Sequence, residues 1–98
     1  MKLLTKEIRK KLPPLYSQEN VEDPIVYVKF FNPCGIGTWY ATEFDGDDTF
    51  FGIADLHEKE FGYFSLSEMQ SYRGPLGLGI ERDLYFEPKP LSEVRRIG

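Results

Sequence analysis

The chain has one cysteine, one histidine and one tryptophan in 98 residues. A single cysteine excludes an intramolecular disulfide, so packing alone must hold the fold, and a reducing cytoplasm suits such a chain. The single histidine, His57 in "ADLHEKE", has no second histidine at a metal-binding interval. Paired with Cys34 it would make a nucleophile and base that any chain with one of each could suggest. No run of ~18 apolar residues occurs, and the basic N-terminus "MKLLTKEIRKKL" lacks an apolar stretch of ~7 to 15, so neither a membrane span nor a signal peptide is expected. The serines lack a G-x-S-x-G setting, and "GPLGLG" (74–79) lacks the Lys-Ser/Thr of a phosphate-binding loop. Internal repeats and low-complexity tracts are also missing. These absences leave a small hydrolase as the last of three functional readings, and no cofactor, metal or catalytic residue is assigned.

Aromatic residues, by contrast, are plentiful: eight Phe, six Tyr and one Trp, 15% of the chain. They favour pleated sheet. The length suits one domain, residues 1–98, burying about two thirds of the surface exposed by the unfolded chain.

Thr5 can cap "KEIRKKL", with Leu4, Ile8 and Leu12 on one side and bases on the other, and Pro13 and Pro14 end the helix. Strands are expected over 25–31, 38–44, 49–55, 60–66 and 80–86, each rich in β-branched or aromatic residues. Asp45-Gly46 between the second and third is a hairpin signal. Ser65 to Glu68 fits a capping box for a short helix, with Ser67 as an alternative cap, and 91–97 is a candidate helix. Short links allow antiparallel neighbours but not crossovers. The fold expected is therefore α+β: a mostly antiparallel meander of about five strands, an N-terminal helix, a short helix after the fourth strand, and helices covering one face.

Net charge is −4. Residues 1–18 carry five bases against one acid, whereas residues 19–60 carry ten acids against two bases. An acidic middle disfavours nucleic-acid binding except through the basic N-terminal helix. The loop "EFDGDDTFFG" (43–52) gathers Glu43, Asp45, Asp47 and Asp48, but its spacing does not match a calcium loop. The turn itself accounts for Asp45 and Asp48. Trp39 and Tyr40 beside these carboxylates form the best interaction candidate, although core packing is the favoured reading of Trp39 itself. Arg82, inside the apolar run "IERDLYF", calls for a carboxylate partner or serves recognition. The candidate partner-binding set is thus Trp39, Tyr40, Glu43, Asp45, Asp47, Asp48 and Arg82.

The stretches "MKLLTKEIRKKLPPL", "TWYATEFD", "FFG", "GYFSLSEM" and "GLGIERDLYFEP" resemble a family of short bacterial proteins known only as a domain of unknown function, found on plasmids, conjugative elements and phages. The resemblance spans nearly the whole chain and departs from the family in "NPCGIG" and "IADLHEKE". It implies an accessory protein of mobile elements, with no activity, cofactor or site residue attached. The leading expectation is a non-enzymatic cytoplasmic module, monomer or weak homodimer, binding a host or element-encoded protein. The alternative is an anti-restriction or anti-CRISPR inhibitor whose acidic surface imitates DNA, although a net charge of −4 is modest for that task.

Overall fold

The computed structural model describes residues 2–97, the side chains of 95–97 excepted. Helix α1 (Lys6–Lys11) begins where Thr5 Oγ1 accepts the amide of Ile8 at 3.2 Å, and Leu12 closes it ahead of Pro13. Strands β1 (Ile25–Val26), β2 (Val28–Phe31), β3 (Thr38–Phe44), β4 (Thr49–Asp55) and β5 (Lys59–Ser65) follow. Helix α2 (Leu66–Ser71), a 3-10 turn at Pro75–Gly77, strands β6 (Glu81–Arg82) and β7 (Lys89–Pro90) and helix α3 (Leu91–Ile97) complete the chain.

The architecture is α+β on a five-stranded antiparallel sheet of order β5-β4-β3-β2-β6, with β1 and β7 paired separately. The meander runs from β2 to β5, after which the chain returns to the opposite edge to add β6. Three placements differ from expectation. The run 25–31 divides at Tyr27 into two strands, so the helix capped by Ser65 follows the fifth strand rather than the fourth. The run 80–86 keeps only two strand residues, because Asp83 turns the chain by accepting the amides of Tyr85 on its carboxylate and Phe86 on its carbonyl. Helical segments also cover both faces rather than one.

Cross-strand register explains the two faces. Phe30 lies opposite Trp39 and Ala41 opposite Gly52, while Tyr40 lies opposite Ile53. The first set belongs to the larger core, where Phe50 contacts the rings of Phe30, Phe44 and Phe64 at centroid distances of 5.4, 4.5 and 5.4 Å. Leu3, Leu4 and Leu12 around α1 and Leu66 and Met69 of α2 cover it. Each fully buried phenylalanine contributes about 1.5–3 kcal/mol. On the other face Val26, Tyr40 and Ile53 pack under Leu91 and Val94 of α3.

A β-bulge between Ala41 and Glu43 changes the phase of β3. The extra residue, Thr42, is buried, and its hydroxyl donates to the carbonyl of Phe51 at 3.1 Å. One inserted residue reverses which side chains point inward. Phe44 thereby joins the larger core, and Glu43 turns to the face of Tyr40.

Candidate interaction surface

On the α3 face the sheet is not covered to its edge. Phe51 of β4 and Phe61 and Tyr63 of β5 form a strip. The rings of Phe51 and Phe61 stack 6.0 Å apart, and those of Phe51 and Tyr63 meet edge-on at 5.1 Å. Phe61 is 51% and Tyr63 56% exposed. Tyr16 closes the strip from the loop before β1, its hydroxyl 3.4 Å from that of Tyr63. A groove of about 420 Å³ lies among them, with Glu19 and Glu22 at its rim and Glu43 in its floor.

Glu43 organises this loop. Its two carboxylate oxygens accept the backbone amides of Tyr16 and Gln18, each at 2.8 Å, and its side chain is buried at 3% exposure. Gln18 then donates through its amide nitrogen to the carbonyls of Ile25 and Thr42 and accepts from the amide of Ile25. Held this way, Tyr16 adopts φ 72°, a left-handed conformation unusual for a bulky residue. The loop gives up backbone ease to present an aromatic ring, and such concessions concentrate at binding sites. The hydrogen bond with Tyr16 holds the Tyr63 phenol above its ordinary pKa, and Glu43 and Glu19 push it the same way, because a phenolate beside carboxylates is disfavoured.

The residues singled out from the sequence are dispersed. Trp39 and Tyr40 lie on opposite faces of β3, as adjacent strand residues must, so they do not share one surface. Trp39 packs half-buried against the larger core and lines a different groove of about 350 Å³ with Ile36, Leu56 and Tyr72. Tyr40 is buried under α3, and that burial, with Asp55 and Asp83, raises its phenol pKa. Arg82 donates to the carbonyls of Lys2 and Leu3 at 2.6 and 3.0 Å, fastening the N-terminal segment to the sheet edge. In the β3–β4 turn, Asp45 Oδ1 accepts the amides of Asp47, Asp48 and Thr49, leaving Asp47 exposed at the tip. Asp48 reaches α2, accepting the amide of Ser67 and the hydroxyls of Ser65 and Ser67. Cys34 and His57 occupy the β2–β3 and β4–β5 turns, away from the groove lining. Among the described residues no group of three or more His, Cys, Asp or Glu could hold a metal ion.

Tyr16, Phe51, Phe61 and Tyr63 were not singled out from the sequence. The available signal was the surplus of aromatics on both faces of the middle strands.

The aspartate caps have a pH consequence. Backbone amides lower the pKa of Asp45, and the Ser65 hydroxyl followed by the Ser67 amide lowers that of Asp48. Carboxylates with depressed folded-state pKa values stabilise above the unfolded value of about 3.9 and lose that contribution as pH falls through the folded one. Urea denaturation from pH 6 down to pH 2.5 should show falling stability below about pH 4. In Asp45→Asn/Asp48→Asn the fall should be shallower; an unchanged slope would assign the acid sensitivity to other groups.

Fold and groove together define a small α+β domain with an open aromatic recess at one sheet edge. The chain belongs to the family described as protein of unknown function DUF2958, whose model matches residues 3–97. None of the curated proteins or solved structures compared with the chain matches it. No helix among the described residues is long and apolar enough to cross a membrane.

Proposed function

We propose that this chain is a non-enzymatic accessory protein that acts by binding another protein through the groove bounded by Tyr16, Phe51, Phe61 and Tyr63. The observation that carries the reading is the contiguous exposure of Tyr16, Phe61 and Tyr63, with half-buried Phe51 between them, beside a loop clamped by Glu43. Tyrosine and other aromatics dominate interface energetics, and exposed apolar patches of this kind mark interaction sites. The resemblance to short bacterial proteins of plasmids, conjugative elements and phages supports a cytoplasmic setting in which the partner belongs to the host or to the element. The DNA-imitating alternative finds less support, since the Asp45 and Asp48 carboxylates are engaged within the chain and Glu43 is buried.

Affinity capture from host lysate tests the reading. Phe61→Asp should reduce recovery of a specific partner at least about tenfold, a loss ordinary for an interface anchor. Its folding stability should fall by no more than about 2 kcal/mol, since Phe61 is half-exposed and stacks on Phe51 at the sheet edge. Undiminished capture by the folded variant would remove the groove as the binding site.

A further inference from the structure

We propose that the chain pairs with a second copy of itself, each copy setting Leu76 into the other's groove beside Trp39. The inference is independent of the aromatic recess, which lies on the opposite face of the sheet.

Three observations carry it. The first is a side chain that the domain's own packing does not use. Leu76 is 93% exposed and stands at φ 63° and ψ 15°, a left-handed backbone that costs a leucine more than a glycine. Hydrogen bonds from the Gly77 amide to the Gly74 carbonyl and from the Gly74 amide to the Leu78 carbonyl close the loop at its base. The tip is thus held in a strained shape with an apolar side chain at its end, and strain of this kind clusters at contact sites. The second is the groove of about 350 Å³ on the same side of the sheet, whose lining includes Ile36, Trp39, Leu56, Tyr72 and Glu68. Ile36, Leu56 and Tyr72 are exposed there, an apolar patch of the kind that marks an interface. The third is that projection and hollow share one patch. The loop springs from Tyr72, a wall of the groove: a Cβ on Gly74 would lie 3.0 Å from the Tyr72 hydroxyl, and Ile80, just after the loop, lines the same groove. A projection beside a hollow is what a two-fold axis exchanges, since each contact of such an interface is made twice in opposite senses. Charge agrees, because Glu68 lines the groove and Arg73 stands at the base of the loop, both exposed, so the exchange sets the carboxylate of each copy against the guanidinium of the other. Arg73 uses Nη1 for the carbonyls of Gln70 and Tyr72, and its planar fork has five donors. An unrelated partner has no reason to supply the matching projection and hollow together; a second copy supplies both. On the protein-binding reading above, the dimer carries two aromatic recesses turned away from its interface and holds a repeated or dimeric target twice.

Sedimentation equilibrium of the full chain from micromolar to millimolar concentration should show the mass rise from 11.4 kDa towards twice that value. Leu76→Gly keeps the left-handed backbone and removes the side chain, and should weaken self-association about tenfold or more. The thermal midpoint of the dilute variant should move by no more than a few degrees, since relief of strain offsets the added freedom of the unfolded chain. Arg73→Glu and Glu68→Arg should each weaken association by bringing like charges together, and the double variant should recover it. In a mixture of isotopically labelled and unlabelled chains, filtered magnetisation transfer should join the Leu76 methyls of one copy to the Trp39 ring of the other. A chain monomeric at millimolar concentration, or a dimer indifferent to Leu76→Gly, would overturn the proposal. Failure of the charge-swapped double variant to recover association would remove the two-fold exchange. A dimer lost in Phe61→Asp but kept in Leu76→Gly would place the contact in the aromatic recess instead. If the chain stays monomeric while Leu76→Gly diminishes capture from host lysate, a different protein holds the tip and the second copy is not its occupant.

Discussion

Gly52→Ala should destabilise the domain by on the order of 3 kcal/mol or more, at the upper end of what overpacking causes. A Cβ built on Gly52 would meet the carbonyl oxygen of Tyr40 at 1.9 Å and its carbon at 2.9 Å. Both are backbone atoms of the strand just before the bulge, so no side-chain rotation relieves the collision, and β3 and β4 would have to separate locally. Gly62 supplies the control, because it pairs directly with Gly52 across β4 and β5 and a Cβ there meets nothing within 4 Å. Gly62→Ala should leave stability within about 1 kcal/mol, with a small gain from reduced freedom of the unfolded chain. Thermal denaturation would read the contrast as a drop of about 10 °C or more for the first variant against a few degrees for the second. Similar midpoints for the two would show that the bulge yields at little cost.

The second large effect is expected at Glu43. Glu43→Ala removes both acceptors for the amides of Tyr16 and Gln18 and leaves space at a site only 3% exposed. Each unsatisfied, partly buried amide costs about 1–3 kcal/mol, so a total of about 2–6 kcal/mol is expected for the two. Glu43→Gln keeps one acceptor but sets an amide donor against a backbone donor, and should fall in between. Both variants should speed hydrogen exchange at Tyr16 and Gln18, since these amides lose their partners. They should also weaken partner capture beyond the loss of stability, because Tyr16 holds its φ of 72° only while its amide is anchored. Wild-type exchange rates at both amides in a folded Glu43→Ala would show that the loop is held by other means.

What was legible in the sequence is local. The Thr5 cap, the stop before Pro13, the Asp-Gly turn and the Ser65 cap each rest on contacts within about four residues, which a short stretch specifies by itself. The family is also legible, since the motifs that carry it run through the matched residues 3–97. The truncation of the last strand was less so, because a carboxylate two residues ahead competes with the ladder only where the sheet offers β6 a single neighbour, β2.

The sequence by itself determined an antiparallel α+β domain with more aromatic surface than one core absorbs. Tertiary structure decided where that surplus goes. One inserted residue at Thr42 moved Glu43 away from the side of Trp39, and the buried carboxylate then drew in amides 27 and 25 positions away. The acidic loop 43–48 that suggested a partner surface fastens the turn to α2 and Tyr16 to the sheet. The physical reason is that a strand pattern specifies alternation but not its phase: a bulge costs little locally and reassigns every side chain beyond it.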